Sequence, residues 1–493
     1  MIAMIACLVL AATVAGAIFY GRKQTAGHDV EEWAIGGRRL GLLIFWFINA
    51  GEIYTTFAVL GISGFAWAYG APAYLSFTSV SLASVIAYWL MPRVWEAGRR
   101  HRLLTQADFF AQHYRSPLLG VVVALAGLFA LVVYVQVQLT ALGLVVQLTV
   151  GPVVSHNLSI VAAAVLMLAF VFLAGLRSAA FAAGVKDVLM IALIVLLSAT
   201  VARKVGAGSI LDVFARVQAL HPGIGSFPGL QPGAGLSTTW FVTSALNVAF
   251  STWFFPHMFQ LSYAAASPRA LRQNAIWQPL YSLSYFFIIL LGFAVLLSGG
   301  IPAGSDSNAV LLIFVTQHYP AWLVGLLAGT ASLLALVPGS VLLMTSGTIF
   351  ARNVITPLTG DLGPDRTLTL SRLSMLGFAA IAVYLTLGAG QSIVKIGLSA
   401  YAAIGMLAPG AFLALTWRRA NAVGVIAGMT MGYLVLFLPL LAGWVHETLP
   451  GWEPGLAALI VNLCTAILVS ALMPYRPAAE EAAAWPARPA RSS

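Results

Sequence analysis

Long apolar stretches, each close to the length of a membrane span, alternate with short polar connections along the whole chain. A helix that crosses a bilayer needs roughly 20 apolar residues. Thirteen stretches meet this requirement, at about residues 1–20, 41–69, 71–92, 117–148, 156–175, 179–202, 238–264, 273–299, 321–351, 368–388, 391–416, 422–443 and 456–473. The pattern predicts an all-α polytopic membrane protein with about 13 transmembrane helices.

Composition excludes the soluble classes of protein. Of the 493 residues, 60% are hydrophobic and only 8% are charged, whereas a soluble domain carries about a quarter charged residues. The two cysteines, Cys7 and Cys464, lie in apolar stretches, where we expect small packing side chains rather than a disulfide. In a soluble protein the net charge of +10 would suggest a nucleic-acid partner, but in a membrane protein the position of the charges decides its meaning.

The basic residues are divided unequally between the two sides of the predicted membrane. Of the 25 lysines and arginines, Arg203, Lys204 and Arg216 lie in loops on one side, Lys186 and Lys395 lie in spans, and the remaining 20 lie on the other side. Because cytoplasmic loops are enriched in Lys and Arg, the N-terminus is predicted outside and the C-terminus in the cytoplasm of a bacterial-type cell, across its inner membrane. The expected partners are therefore the lipid bilayer and a small solute, with no nucleic acid.

The second span carries polar residues near its middle. They are Gly51, Glu52, Tyr54, Thr55 and Thr56. A carboxylate at mid-span is costly and usually functional, and Gly51 weakens the helix. We therefore predict a broken helix whose exposed backbone lines a substrate site. The alternative is that Glu52 is held by its neighbours in a structural role.

The seventh span has a second polar break, formed by Asn247, Ser251, Trp253, Pro256 and His257. Proline removes a helical hydrogen bond and bends the chain, so we expect the helix to stop there and to contribute to the same site. His257 could titrate near neutral pH, although a hydrogen-bonded structural role is favoured slightly.

The two breaks lie five spans apart, in helices that run in opposite directions. This is typical of an inverted repeat with substrate bound near the midplane, and it predicts a five-plus-five core. The chain then divides into an extra N-terminal helix and cytoplasmic loop (1–40), a first core repeat (41–202), an outer loop (203–237), a second core repeat (238–417), two C-terminal helices (418–473) and a disordered cytoplasmic tail (474–493).

Three basic or acidic residues lie within other spans. Lys186 and Asp187 are adjacent in the sixth span, and they are interpreted either as charges that face the bundle interior or as a pair at the cytoplasmic edge. Lys395, near the outer end of the eleventh span, is a candidate gating residue. The simpler interpretation is that its side chain reaches the outer surface.

Two further spans hold weaker candidates. Tyr134 and Gln138 are four residues apart and share a helix face, so they either cover the substrate or form ordinary interhelical hydrogen bonds. The segment 336–340 contains Pro338 and Ser340 and is expected to break the ninth span. A packing kink is the alternative there.

Several segments resemble the solute:sodium symporter family over about residues 30–420. They are 32–38 (EWAIGGR), 61–70 (GISGFAWAYG), 105–110 (TQADFF) and 255–257 (FPH). Segments 51–55 (GEIYT), 175–177 (GLR) with Lys186–Asp187, and 335–338 (ALVP) look like the monocarboxylate permease branch. The resemblance implies thirteen helices, the five-plus-five core and secondary active transport.

The chain departs from this family at one position. The resemblance implies hydroxyl ligands for sodium on the eighth core helix, where this chain has Val337 and Pro338, neither of which offers an oxygen. Asp187 resembles the family's acidic residue near that site, and the neighbouring ammonium of Lys186 could replace the sodium charge. Ser340 lies close enough in sequence to restore a sodium site if the register differs.

The resulting hypothesis is import of a small organic solute, preferably a monocarboxylate, by alternating access, with proton coupling or sodium-independent transport. Protonated Glu52 would accept an anion and ionised Glu52 would repel it. The alternatives are sodium-coupled symport of an amino acid or another small solute, and a solute-sensing receptor without net transport. No enzyme activity, metal or cofactor is expected beyond a coupling ion, H⁺ or Na⁺.

Overall fold

The computed structural model describes residues 1–22, 35–151, 154–173, 176–302, 304–360, 362–388 and 392–473. The predicted tail at 474–493 and most of the predicted loop before the second span lie outside these residues. The first half of the described chain contains the helices α1 (Ile2–Arg22), α2 (Leu42–Ile53), α3 (Ile62–Tyr69), α4 (Leu75–His101), α5 (Gln106–His113), α6 (Pro117–Val150), α7 (His156–Leu173), α8 (Leu176–Lys204) and α9 (Ile210–Leu220).

The second half continues with helices of similar character. They are α10 (Thr238–Ser251), α11 (Pro256–Ala264), α12 (Pro268–Ser282), α13 (Ser284–Ser298), α14 (Val310–His318), α15 (Ala321–Ile349), α16 (Thr356–Thr359), α17 (Pro364–Leu387), α18 (Ile393–Gly405), α19 (Ala408–Thr416), α20 (Ala422–Phe437), α21 (Pro439–Thr448) and α22 (Pro454–Leu472).

The structure confirms a polytopic all-α membrane protein. In the described residues, nine helical stretches are long and apolar enough to cross a bilayer, and two bent helix pairs raise the number to eleven. Helix α7 is apolar but shorter, and α10 and α11 meet at a break. Each of the thirteen predicted spans therefore contains helix.

One detail of the predicted spans is wrong, and another span is bent. Helix α15 runs without interruption through Pro338, so the segment 336–340 does not break it. A transmembrane helix tolerates an internal proline where its neighbours satisfy the freed backbone groups. The predicted twelfth span at 422–443 contains a sharp bend, because α20 ends at Phe437 and Pro439 begins a helix that is turned by 80° from it.

One end of the bundle, which we call the basic end, is held together by a small helix and its polar partners. Thr105 and Asp108 form a reciprocal capping box at the start of α5. The Asp108 carboxylate also accepts hydrogen bonds from Asn353 Nδ2 at 2.7 Å and from Arg352 Nε at 3.1 Å, just after α15. The side chain of Arg38 donates to the Leu103 carbonyl at 2.7 Å. The connections before α2, after α4 and after α15 therefore meet at this end.

The chain segments that flank the two broken helices pair at the basic end through their backbones. Leu40, just before α2, donates its N–H to the Ala264 carbonyl at 3.0 Å. Its own carbonyl accepts from Ala266 N at 2.9 Å. The start of α2 and the end of α11 are thus joined by an isolated β-bridge.

The opposite end, which we call the loop end, carries the long connection from α8 to α10. Leu230 of this connection donates to the Tyr69 carbonyl at 3.0 Å, and Ala71 donates to the Ile224 carbonyl at 2.7 Å. Helix α9 packs on α13. The long connection therefore folds over the end of α3 instead of extending away from the bundle.

Candidate functional site

The first half of the candidate site is the break between α2 and α3. Helix α2 ends at Ile53, Tyr54 leaves helical geometry, and a π-helical turn leads from Phe57 into α3. The two segments differ in direction by 46°. The Thr55 hydroxyl accepts from the Phe57 N–H at 3.2 Å, which satisfies one of the donors that a helix start leaves free. The predicted break is confirmed within Gly51–Thr56.

Lys186 of α8 reaches into this break from a fully buried position. Its ammonium donates to the Gly51 carbonyl at 2.7 Å and to the Tyr54 carbonyl at 3.0 Å. It also lies 3.2 Å from the carboxylate of Asp187, which is equally buried. The charge is therefore inside the bundle, and the alternative of a pair at the membrane edge is excluded by its burial.

The backbone at Gly51 approaches α8 so closely that a larger residue would disturb the ammonium. A β-carbon added at Gly51 would lie 3.2 Å from both Lys186 Nζ and the Ala183 side chain. Ala183 packs in a small apolar cluster with Val337 of α15. Val337 therefore presents a hydrocarbon side chain, without an oxygen, on the α15 side of this region.

The second half of the site is the break between α10 and α11. Helix α10 ends at Ser251, a short 3₁₀ turn follows, and Phe255 is extended before Pro256 starts α11. Proline is well suited to a first helical position because its missing N–H is not needed there. His257 Nε2 lies 3.7 Å from Glu52 Oε2, and both side chains are buried. The two breaks therefore meet, as the sequence predicted.

Helix α6 covers the two breaks with a polar and an aromatic side chain. Gln138 accepts a hydrogen bond from the Thr56 hydroxyl at 3.0 Å. The Tyr134 ring lies 5.0 Å from that of Phe255 and 6.2 Å from that of His257, measured between centroids. Gln138 thus lies against the first break, where it makes an interhelical hydrogen bond, and Tyr134 lies against the second.

Three tyrosines of the site were missed as candidates by sequence reasoning. The ring centroids of Tyr281 and Tyr285 lie 4.1 and 4.9 Å from that of Tyr54, and Tyr401 lies 5.1 Å from Phe255. The hydroxyl of Tyr281 is also close to the Asp187 carboxylate. Spacing by four residues places Tyr281 and Tyr285 on one face of the eighth predicted span, and this was the available signal.

The remaining predicted residues lie around the site or away from it. Ser251 donates to Asn247 at 3.4 Å inside α10, and Trp253 donates to the Ala83 carbonyl of α4 at 2.6 Å. Ser340 donates to a carbonyl of its own helix at 2.6 Å. Lys395 is exposed in the first turn of α18, at the loop end. The charge of Lys395 therefore faces the outside of the bundle and not the two breaks.

A narrow opening lies beside the first break, and Ile53, Tyr285 and Tyr401 are among the residues that line it. The described residues contain no group of three or more His, Cys, Asp or Glu side chains that could hold a metal ion. The groups that the structure brings together at the two breaks are the buried charges of Lys186, Asp187 and Glu52 and the backbone carbonyls of the first break.

A membrane bundle with two facing helix breaks and buried charges defines a class of solute-binding membrane proteins. The model of the sodium:solute symporter family matches residues 33–432 of the chain. The chain belongs to this family of transporters.

Individual relatives agree with this assignment. An uncharacterised symporter of Bacillus subtilis, YhjB, is 32% identical over 464 residues, which cover 92% of this chain and 94% of the relative. A monocarboxylate transport permease protein of Rhizobium johnstonii is 26% identical over 468 residues, which cover 92% of this chain and 93% of the relative. A solved structure of a Na⁺-coupled sialic acid symporter has a TM-score of 0.78 at 14% identity and covers 96% of this chain and 98% of its own. The last likeness shows the fold alone.

Proposed function

We propose that this chain imports a small monocarboxylate by alternating access, coupled to protons and without a bound sodium ion. The observation that carries the proposal is the ammonium of Lys186 on the carbonyls of Gly51 and Tyr54. Backbone carbonyls at a broken helix are the ligands that a hard cation prefers. Because the Lys186 ammonium already occupies these carbonyls, we infer that they do not bind sodium.

The architecture that supports alternating access is a pair of inverted five-helix repeats. The two broken helices belong to corresponding positions of the two repeats and meet at Glu52 and His257. In this arrangement the breaks form the substrate site, and one repeat rocks against the other. By the positive-inside rule the basic end faces the cytoplasm, with the N-terminus outside and the membrane being the bacterial inner membrane.

The charge balance of the site favours transport of an anion together with a proton. The charges of Lys186 and Asp187 offset each other at 3.2 Å, which leaves Glu52 as the carboxyl at the two breaks that, among the described residues, no cationic Lys or Arg directly contacts. An ionised Glu52 would repel a carboxylate in this poorly solvated site, since like charges interact strongly at low dielectric. A protonated Glu52 donates a hydrogen bond to it instead. One monocarboxylate and one proton then enter together as an electroneutral pair.

The substrate class rests on this charge balance and on the 26% identity to a monocarboxylate transport permease. A second candidate, transport of an amino acid or another amine, follows from the same residue: an ionised Glu52 would pair directly with a cationic ammonium. A third candidate function is that of a receptor without net transport, which would bind the solute without accumulating it.

The test is uptake into proteoliposomes that contain the purified full-length protein. Labelled pyruvate, propionate and butyrate are compared with proline and choline, in sodium and in potassium buffers, with and without a protonophore. The proposal expects an inward proton gradient to drive accumulation of the acids in either buffer, and the protonophore to abolish it. Accumulation that requires a sodium gradient and ignores the protonophore would overturn the coupling, and uptake of proline or choline alone would overturn the substrate class.

A further inference from the structure

Two arginines of neighbouring helices lie near the basic end, at the outer surface of the bundle. Arg93 belongs to α4 and Arg272 to α12, and these helices pack against each other. The Trp95 indole of α4 donates to the Ala265 carbonyl, just before α12, at 2.7 Å. Because α4 runs toward the basic end and α12 runs away from it, both arginines lie nearer the middle of the bilayer than this bond.

The guanidinium of Arg93 reaches toward the middle of the bilayer and not toward the water at the basic end. It donates to the Trp89 carbonyl at 2.6 Å and lies 4.3 Å from the centroid of the Trp89 ring. Trp89 precedes Arg93 by one helical turn, on the side away from the basic end. An arginine that only marks the end of a span extends its side chain to water. The carbonyl and the aromatic face instead hold this charge at a deeper level.

No acidic side chain in the described part of the chain offsets these two charges. Arg272 is close enough to Arg93 for the two charges to repel each other. The nearest acid along α4, Glu96, is bound by Arg99 at 3.4 Å and by Arg100 at 2.7 Å. Among the described residues, no carboxylate forms an ion pair with Arg93 or with Arg272. Like charges repel most where bulk water is scarce, so an anion placed between the two guanidiniums would be stabilised.

An outward-facing apolar stripe continues from each arginine toward the loop end. Residues three or four apart share a helix face, and such residues follow Arg93 and Arg272 on their own helices. They are Trp89, Val85 and Leu82 on α4, and Ile276, Leu280 and Leu283 on α12 and at its end. Each stripe extends about 16 Å from its arginine, which is close to the roughly 15 Å thickness of one hydrocarbon leaflet. The stripes therefore match the length of lipid acyl chains.

We propose that the outer surface of α4 and α12 binds one anionic phospholipid, whose phosphate lies between Arg93 and Arg272 and whose acyl chains lie along the two stripes. Basic pockets between transmembrane helices bind anionic lipid headgroups. Arginine suits a phosphate because its planar guanidinium offers paired donors. A phosphatidylcholine headgroup would add its own cation to a surface that already has two, so it is disfavoured. The lipid site does not depend on which solute is transported.

The experiment measures lipid binding to the purified full-length protein in detergent, by native mass spectrometry and by the rise in melting temperature. The wild type should bind one phosphatidylglycerol more tightly than phosphatidylcholine. Each arginine near a membrane surface strengthens binding of anionic lipid about fivefold, so Arg93→Gln with Arg272→Gln should weaken it about 25-fold. The matched control is Arg418→Gln with Arg419→Gln, which removes two exposed arginines from the same end of the bundle and should bind as the wild type does.

The single variant Arg272→Gln changes an exposed side chain, so it tests the site even if Arg93 proves necessary for folding. It should bind phosphatidylglycerol about fivefold more weakly than the wild type. Unchanged binding by this variant, or an equal loss in the control, would overturn the site. Equal binding of phosphatidylcholine by the wild type would show that charge does not select the lipid. If glycerol 3-phosphate raised the melting temperature as much as phosphatidylglycerol, the ligand would be a free phosphate ester and not a lipid.

Discussion

Nε2 of His257 lies 3.7 Å from Oε2 of Glu52, across the gap between the two broken helices. Neither oxygen of the Glu52 carboxyl has a hydrogen-bond partner within the described residues, and the same is true of His257 Nδ1. Buried polar groups are normally paired, and under the proposed function the group that pairs with Glu52 is the carboxylate of the substrate.

Glu52→Gln should separate proton coupling from substrate movement. The amide has the size of the carboxyl and still donates a hydrogen bond, but it cannot release a proton. We expect exchange of labelled for unlabelled monocarboxylate across the membrane to persist, while accumulation driven by a proton gradient disappears. Both are measured in proteoliposomes over pH 5.5–8, where the variant's exchange should be independent of pH.

The control for this variant is Glu447→Gln, which changes an exposed glutamate on α21. It should accumulate substrate with the pH profile of the wild type. Proton-driven accumulation by Glu52→Gln at the wild-type rate would show that the coupling proton is carried elsewhere.

Lys186 and Asp187 should stabilise the bundle as a unit. Lys186→Met leaves a buried carboxylate and two carbonyls without their cation, and removing one partner of a buried pair costs about 3–5 kcal/mol. Lys186→Met combined with Asp187→Leu removes both charges and should be less destabilised than the single variant, as measured by thermal unfolding in detergent. Both variants should lose sodium-independent uptake.

The exposed lysine Lys395 provides the comparison, and Lys395→Met should alter neither stability nor uptake by more than a small amount. A Lys186→Met protein as stable and active as the wild type would contradict the assigned role of the ammonium. If the double variant were much less stable than the single one, the pairing argument would be wrong.

Gly64 should be irreplaceable although it lies inside a helix. In an exposed helix, Gly→Ala stabilises by about 0.5–1 kcal/mol. At Gly64, however, the added β-carbon would overlap the Ser307 carbonyl of a neighbouring segment, and such overpacking costs about 1–3 kcal/mol or more. Gly64→Ala should therefore lower the melting temperature, whereas Gly377→Ala, where no atom lies within 4 Å of the new carbon, should leave it equal or higher. Equal effects of the two substitutions would refute the close contact.

Glu453 should make stability depend on pH near neutrality. It caps α22 through a bond from the Leu456 N–H at 2.9 Å, and burial raises its pKa from 4.5 to about 7, with the backbone N–H groups of Gly455 and Leu456 opposing this in part. The folded protein then binds the proton more tightly than the unfolded chain. The stabilising effect is complete below pH 4.5 and is lost as the pH rises through 7.

This loss corresponds to about 3 kcal/mol between pH 4.5 and a pH well above 7. Glu453→Gln keeps the capping acceptor and removes the titration, so its melting temperature should change less between pH 6 and pH 8.5 than that of the wild type. Glu447→Gln should retain the wild-type slope. A Glu453→Gln protein with an unaltered slope would place the titrating group elsewhere.

The parts of the fold that were predictable are those in which local chemistry and tertiary structure agree. Pro256 follows several polar residues, and the helix does start anew there. Pro338 carries the same local signal, yet α15 is continuous through it because the helix is buried among others along nearly its whole length. Proline alone therefore does not distinguish a break from a tolerated irregularity in a crowded bundle.

The partners of the site residues were less predictable than the residues themselves. A lysine inside a span signals a buried role, but the choice of the Gly51 and Tyr54 carbonyls, more than 130 positions away, depends on how α8 packs against α2. The link between Asp108 and Asn353 is another case, since it joins residues 245 positions apart. Contacts between residues so far apart in sequence depend on how the helices pack. The hydrophobic periodicity of the sequence does not predict them.

The bridge between Leu40 and the segment Ala264–Ala266 uses only main-chain atoms. Every residue except proline has a backbone amide and a carbonyl group. Substitutions at these positions therefore preserve the backbone hydrogen bonds unless they introduce proline. The two broken helices are thus linked to each other at the basic end of the bundle. Under the proposed function, a substrate that contacts both breaks therefore acts on two helices that a side-chain-independent link already holds together.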